Sequence, residues 1–529
     1  MPAVELYDTT LRDGAQSEGI SFSVVDKLHI AQKLDELGIH YIEGGWPGSN
    51  PKDADFFRRA RSLKLSRSTL VAFGSTRRPG IKAADDENIR ALSESGCKVV
   101  TLVGKSSALQ VTQVLETTLD ENLKMADDSI RYLKGKGFTV FFDAEHFFDG
   151  YKFDPDYSLK VLKVAAEAGA ECLVLCDTNG GTLPEEIAAA TGAAKRISRA
   201  AIGIHTHNDA ELAVANTLAA VRAGATHVQG TINGYGERCG NANLCSIIPA
   251  LKLKMGIDCI SAEQLGKLTE VSHYVGELAN LIPDPYAPYV GGSAFSHKGG
   301  LHVSALSKWT ESYQHIDPSR VGNIQRVVVS ELSGRRNIIQ KAREMGITFP
   351  KEGKEVKEIL EQVKQLESLG FQYENAEASF ELLLHHARLE YKPPFELVDF
   401  MVVVEKRRRA STRRITGEML SEAVVKVRVG GEIMHTAAEG NGPVNALDAA
   451  LRKALLQFYP SLSQVKLVDY KVRILEESTG TESQVRVLIE SSDGTEEWHT
   501  VGSSTNIIEA SWLALADSLE YWLLKHPAA

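Results

Sequence analysis

AIGIHTH (Ala201 to His207), AELAVANTLAAVRA (Ala210 to Ala223) and HVQGTING (His227 to Gly234) follow one another with short joins. The first and third are apolar runs of strand length. The second repeats apolar residues at the i, i+3, i+4 spacing of a helix with one buried face. Strand, helix and strand in that order predict parallel strands joined by a right-handed crossover. The unit recurs toward the N-terminus, with strands VELYDT from Val4, YIEGG from Tyr41, TLVAFG from Thr69, VVTLVGK from Val99, TVFFDAE from Thr139 and CLVLCDT from Cys172. SVVDKLHIAQKLDEL, DENLKMADDSIRYLKGK and YSLKVLKVAAEA are intervening helices, and Gly38, Gly96, Gly137, Gly169 and Gly224 stand where such helices close. Eight units in roughly 250 residues predict an α/β fold with a closed (β/α)8 TIM barrel. An open doubly wound sheet is the alternative, but it rarely needs eight regular units.

With 529 residues, 43% hydrophobic and 24% charged, the chain is expected to hold several domains with full cores rather than to be disordered or fibrous. A net charge of −10 disfavours nucleic acid or an acidic membrane surface as a partner. Six cysteines without a CxxC pair suggest reduced thiols and a cytoplasmic setting. MPAVELYDTTLRDG lacks the pattern of an export signal, and no apolar run approaches the ~20 residues of a membrane span.

Polar residues gather at the C-terminal ends of the eight strands, the face where barrels of this kind place their active sites. Asp8, Arg12 and Asp13 follow strand one, Glu43 sits on strand two and Lys105 ends strand four. Asp143 and Glu145 end strand five, and Asp177 and Thr178 end strand six. His205, His207, Asn208 and Asp209 close strand seven, and Asn233, Glu237, Arg238 and Asn241 follow strand eight. His205 and His207 are two apart on a strand, so both imidazoles leave the same face. Together they can bind one divalent ion, with Asp13 as the carboxylate and Asn241 as a neutral oxygen. Such an ion keeps positions open for two adjacent substrate oxygens, as in a 2-oxo acid. A hydrogen-bonded histidine pair with no ion is the plainer alternative. NGYGERCGN (Asn233 to Asn241) has glycines spaced GxGxxxG at the end of the last strand. It therefore reads as a tight turn presenting Glu237, Arg238 and Asn241, not as a dinucleotide-binding motif.

TLRDGAQ (Thr10 to Gln16), HTHNDAELAVAN (His205 to Asn216) and NGYGERCGNANL (Asn233 to Leu244) resemble the signatures of the metal-dependent Claisen-condensing synthases. That family holds the isopropylmalate, homocitrate and citramalate synthases, with HMG-CoA lyase as a relative. FSHKGGLHVSAL (Phe295 to Leu306) and SELSGRRN (Ser330 to Asn337) resemble the stretch that follows the barrel in the synthase branch. IEGGWPGSNPKD, LVGKSS and FDAEHFFDGY look most like the longer citramalate synthases. Isopropylmalate synthases more often show Phe-Pro where Trp46-Pro47 stands, and aspartate where His146 stands. Glu211 occupies a position that is commonly glycine.

The resemblance implies a condensation of pyruvate with acetyl-CoA, with magnesium, manganese, zinc or cobalt at Asp13, His205, His207 and Asn241. It implies Arg12, Glu145, His302 and Tyr313 as catalytic residues, with Arg12 stabilising the alkoxide and His302–Tyr313 moving the proton. Arg12, Leu102, Asp143 and Thr178 are expected to bind the 2-oxo acid. The same chemistry on a larger 2-oxo acid is the nearest rival, and a metal-dependent lyase a more distant one.

Three domains are expected: a barrel over residues 1–281, a mostly helical subdomain over 282–390 and an α+β regulatory domain over 391–529. IPDPYAPYVGG has the proline and glycine density of a linker. KEVKEILEQVKQLESLG and AEASFELLLHHARL are helical, and Pro393-Pro394 marks the second boundary. FELVDFMVVVEKR, AVVKVRV, YKVRIL and QVRVLIE then read as strands with two similar helices among them. Aligning Asn445 with Asn506 and Ala449 with Ala510 gives a repeat of 61 residues. Duplicated strand-helix units suggest a module with pseudo-twofold symmetry. The resemblance makes it a regulatory domain that binds isoleucine and pairs the chain into a homodimer; a dimerisation module without a ligand is the alternative. The basic run KRRRASTRR (Lys406 to Arg414) reads as a solvated hairpin in an acidic chain.

Overall fold

In the computed structural model, residues 3–306, 308–329, 335–349, 354–388, 390–406, 419–475 and 483–527 are described. Residues 330–334 of the second post-barrel motif, and 407–414 of the basic run, lie outside them. The chain forms two compact units: Met1–Phe295 with His315–Gln325, and Ser296–Gln314 with Arg326–Ala529.

The first unit is the expected barrel. Strands β1 (Glu5–Asp8), β2 (Tyr41–Gly45), β3 (Thr69–Ser75), β4 (Val99–Lys105), β5 (Thr139–Glu145), β6 (Cys172–Asp177), β7 (Ala201–Thr206) and β8 (His227–Gly230) close in sequence order. Parallel pairing of β1 with β8, Tyr7 opposite Gln229, seals the cylinder. Tyr7, Val71, Val99, Phe141, Cys172, Val174 and Cys176 fill its interior. A second apolar layer, including Leu6, Ile42, Leu102 and Phe142, packs the strands against the surrounding helices. The five helix-closing glycines all take left-handed φ, from 86° at Gly96 to 112° at Gly224. That conformation is open to glycine without a Cβ clash.

Two segments depart from the sequence reading. β8 stops at Gly230 rather than Gly234, because Asn233 turns left-handed (φ 62°) and the chain folds back. A side chain at Gly230 would meet the Ala242 carbonyl at 2.5 Å. The helix after β7 begins at Ala213, not Ala210. Glu211 sits at φ 60° with its N–H donating to the Asn208 carbonyl (2.9 Å), a turn that cannot be helical. The commonness of glycine there has its explanation in this left-handed backbone.

In the second unit, β9 (Ser296–His297) pairs with β10 (Arg326–Val327), amid helices Gly300–Leu306, Arg335–Glu344, Lys354–Ser368 and Glu377–His386. Two like units follow, each an antiparallel three-stranded sheet and one helix. β11 (Phe395–Lys406), β12 (Met419–Val429) and β13 (Glu432–Gly440) precede the helix Pro443–Leu455. β14 (Lys466–Ile474), β15 (Val485–Ser492) and β16 (Glu497–Ser504) precede the helix Ile507–Lys525.

The duplication is real, but its register differs from the sequence alignment. The Thr436 hydroxyl donates to the Ala450 carbonyl, and the Thr500 hydroxyl to the Ala514 carbonyl, each at 2.7 Å. Both pairs stand 64 residues apart, so Ala446 matches Ala510. A three-residue slip is nearly one helical turn, so it keeps apolar positions on the same face and escapes a periodicity test. The repeated Leu-Val-Asp of β11 and β14 carries a register shift in both sheets, between Leu397 and Asp399 and between Leu467 and Asp469.

Candidate metal centre and active site

The turn after β1 is latched before any ligand is considered. The Asp8 carboxylate accepts from the Thr10 N–H (2.9 Å) and hydroxyl (2.8 Å), and the Thr10 oxygen accepts from the Ile232 N–H (2.9 Å). This joins the turn to the loop after β8 and delivers Asp13 to the barrel mouth. His205 is the penultimate residue of β7, and His207 stays extended through a bridge to Asn241, so both imidazoles point inward as the spacing predicts. Asp13 Oδ2 lies 3.3 Å from His205 Nε2 and 3.0 Å from Asn241 Nδ2. The two Nε2 atoms are 3.2 Å apart. Asp13, His205 and His207 are the one cluster of this kind among the described residues.

The donor set suits a divalent cation. All four side chains are buried, yet Asn241 Oδ1 and His207 Nδ1 have no hydrogen-bond partner. A buried unpaired acceptor costs about 1–3 kcal/mol, and a cation at this point would satisfy Asn241. Burial pushes the Asp13 carboxyl up, but Arg12 and the imidazoles outweigh it and hold it well below the carboxylate range. Burial, with His205 alongside, pushes His207 down to about 4, leaving its imidazole neutral with a free lone pair. Gly236 makes the arrangement possible, since a Cβ there would stand 2.1 Å from Asn241 Oδ1.

Arg12 is clamped beside this cluster. Its Nε donates to Glu43 Oε1 (2.5 Å), its Nη1 is 3.4 Å from Asp13 Oδ2, and its guanidinium lies 3.9 Å over the Phe73 ring. Glu43 is fully buried and also accepts from the Tyr7 hydroxyl. Burial and the neighbouring Glu43 push Asp143 up to about 7. Glu145 pairs with Lys105 Nζ at 2.5 Å. The Thr178 oxygen accepts from the His146 N–H (2.8 Å), leaving its own hydroxyl hydrogen free to donate. Arg238 reaches across to hold the Thr178 carbonyl (2.7 Å) and both oxygens of Asp209 (2.7 and 2.9 Å).

Arg12, Asp13, Lys105, Asp143, Glu145, Thr178, His205, His207 and Arg238 line a cavity of about 470 Å³ that also takes in Trp46, Phe73, Val103, Met125 and Cys176. Leu102 is a correction. It is fully buried in the layer facing the helices, while its neighbours Val103 and Lys105 line the cavity. Side chains alternate along β4, and the inward set is the one containing Thr101, which bonds the Tyr7 hydroxyl. That alternation, counted back from Lys105, is the signal that selects Val103. Phe73 and Gln229 were missed because an aromatic and a neutral amide on a barrel strand look like packing. His302 and Tyr313 belong to the second unit, where their exposed rings stack at 4.1 Å.

The chain also matches known families and proteins. Residues 3–275 match the HMGL-like family, residues 289–370 the homocitrate synthase post-HMGL domain-like family, and residues 374–523 the LeuA allosteric (dimerisation) domain. An (R)-citramalate synthase of Geobacter sulfurreducens is 55% identical, covering 99% of this chain and 98% of its own. One of Aquifex aeolicus is 53% identical with the same coverage of both chains. A probable 2-isopropylmalate synthase of Methanopyrus kandleri is 32% identical over 93% of each chain. On full-length identity of this order, the chain belongs to the (R)-citramalate synthase family, built on an HMGL-like barrel with a LeuA-type C-terminal domain.

Proposed function

We propose that the chain condenses pyruvate with acetyl-CoA and water to give (R)-citramalate and CoA, as the names of its relatives indicate. The observation that carries this reading is the convergence of Asp13, His205 and His207 beside the clamped Arg12. Asp13, His205, His207 and Asn241 would hold a divalent cation, of the magnesium, manganese, zinc or cobalt kind. Once bound, the cation supplies Lewis acidity toward the ketone of the 2-oxo acid.

The remaining work falls to side chains. Thr178 donates its free hydroxyl hydrogen to the substrate carboxylate, and Arg238 keeps its backbone in place. Arg12 cannot lose its proton, so it stabilises the oxyanion that develops as the carbon–carbon bond forms. Glu43 and Phe73 fix its guanidinium, so little reorganisation is needed at that moment. Trp46, Phe73 and Val103 give the cavity an apolar wall against the substrate methyl. His302 with Tyr313 serves as the proton-transfer pair at the acetyl methyl, an imidazole being suited to that task near neutral pH. Glu145, paired with Lys105, assists from the rim. Hydrolysis of the thioester then drives the sequence forward.

In this reading residues 1–281 carry the metal centre, 282–390 add the His302–Tyr313 pair, and 391–529 bind isoleucine as feedback inhibitor and pair two chains. The exposed Val398, Met401 and Val403 of β11, with Val468, Val472 and Ile474 of β14, offer apolar surface for that pairing. Six free thiols suit a reducing cytoplasm. No helix among the described residues is long and apolar enough to cross a membrane.

Thiol release from acetyl-CoA, followed with pyruvate, 2-oxoisovalerate and 2-oxoglutarate in turn, tests the substrate. Pyruvate is expected to give the highest kcat/KM; a preference for 2-oxoisovalerate would overturn the assignment. Unchanged thiol release after His207→Ala would remove the cation from the mechanism.

A further inference from the structure

A neutral imidazole can ligate through Nε2 only when its proton sits on Nδ1. What decides the proton's place is the partner of Nδ1. For His205 that partner is Gln229 Oε1, at 2.9 Å. Gln229 is fully buried on β8, on the inward face of the strand that pairs with β1. Its amide could in principle turn over and present NH2 to the imidazole, which would favour the wrong tautomer. Asp143 blocks that turn. Its Oδ1 lies 3.1 Å from Gln229 Nε2, and above pH 7, where Asp143 is ionised, that carboxylate accepts but cannot donate. One orientation satisfies both neighbours: NH2 toward Asp143, carbonyl toward His205. His207, by contrast, has no partner on Nδ1 among the described residues.

We propose that Gln229 is a positioning residue for the metal centre, locking His205 in the Nδ1–H tautomer so that its Nε2 lone pair faces the cation. Asp143 is the anchor that holds Gln229. This rests on the cation reading of the Asp13–His205–His207 cluster, and it adds a residue that is neither a ligand nor in contact with substrate. Buried partners of this kind typically change metal affinity 10–100-fold.

The test is a calorimetric titration of the chelated, full-length chain with Mn²⁺, alongside Gln229→Met, Gln229→Glu and His207→Ala. Methionine keeps the length of glutamine and removes the acceptor, so the dissociation constant should rise roughly 10- to 100-fold. Glutamate, protonated on the oxygen that faces Asp143, restores an acceptor for Nδ1–H and should bind Mn²⁺ more tightly than Gln229→Met does. Wild-type affinity in Gln229→Met overturns the proposal, as does a Gln229→Glu variant no tighter than Gln229→Met. His207→Ala reports on the cluster itself. If it binds Mn²⁺ as wild type does, or wild type binds none, the cation reading falls and this proposal with it. If His207→Ala abolishes binding while Gln229→Met does not, only the Gln229 assignment is lost. Nitrogen-15 spectra of histidine-labelled wild type loaded with Zn²⁺ give a second readout. His205 should bind the ion through Nε2 with its proton on Nδ1, and an ion bound through Nδ1 would overturn the proposal even if no variant folded.

Discussion

Replacing Gly236 by alanine perturbs the candidate metal centre through one atom. Gly236 does not sit in the left-handed region, so alanine meets no backbone penalty there. The added Cβ would, however, stand 2.1 Å from Asn241 Oδ1, 3.0 Å from its Cγ and 3.2 Å from its backbone nitrogen. Oδ1 ends a short side chain, so the cheapest relief is to turn the Asn241 amide away. That breaks the Nδ2–H bond to the Asp13 carboxylate (3.0 Å) and withdraws the unpartnered oxygen from the cluster. A hydrogen bond to a charged group contributes about 1.5–3 kcal/mol, so Mn²⁺ affinity should fall roughly 10- to 100-fold. Gly181→Ala is the control, because a Cβ there meets nothing within 4 Å. Titration calorimetry of both variants, with thermal melts to show that each is folded, makes the measurement. If Gly236→Ala binds Mn²⁺ within twofold of Gly181→Ala, then Asn241 is not a ligand and the crowding argument fails.

Three further outcomes follow from other parts of the structure. Glu211→Gly should raise unfolding free energy in urea by up to about 1 kcal/mol, since the left-handed strain exceeds the entropy glycine adds to the unfolded chain. Leu102→Ala should cost about 2–5 kcal/mol of stability and leave the KM for pyruvate unchanged, whereas Val103→Ala should move KM. The C-terminal unit should melt lower at pH 8 than at pH 6. Burial pushes Asp517 up to about 7 and Glu520 raises His386, so the folded state holds protons that the unfolded chain releases. Stability is therefore lost as pH rises through these values, by about 1 kcal/mol for Asp517 over that range, and Asp517→Asn should flatten the profile.

The barrel was legible because its strands are buried on both faces and its helices end at glycine, signals that need no tertiary context. The candidate metal centre was legible because two histidines on one strand face share a direction whatever surrounds them. Leu102 was assigned from a motif, and the inward parity of Thr101, Val103 and Lys105 shows why a motif is a coarser guide than strand alternation. β13 and β16 escaped the sequence reading for a different reason. EIMHTAAEG and EWHTVGSS are too polar to read as strands, and β13 buries only Thr436. Pairing across tight hairpins with β12 (Val429 opposite Glu432) and β15 (Ser492 opposite Glu497) makes them strands, and that pairing does not show in their own composition. The late helix start at Ala213 likewise depends on a turn conformation that glutamate rarely takes.

Backbone conformation divides the barrel's two ends. Where helices return to strands, left-handed positions are filled by Gly38, Gly96, Gly137, Gly169 and Gly224, and no strain is stored. Where strands lead out toward the cavity, glycine shares that conformation with Glu116, His146, Glu211, Asn233 and Arg238. Those are five of the seven non-glycine residues with positive φ among the described residues, so the bias toward this end is not a general looseness of turns. Each such residue costs of order 1–3 kcal/mol and persists only if its surroundings hold it. At His146 the holding contact is its N–H to Thr178, and at Arg238 it is the fork onto Asp209 and the Thr178 carbonyl. Both strained residues thus converge on Thr178, which the proposed mechanism uses to fix the substrate carboxylate. A glycine at either position would relax the backbone but widen the range of orientations open to that hydroxyl. Orientation, rather than stability, is what a condensation between two bound substrates requires.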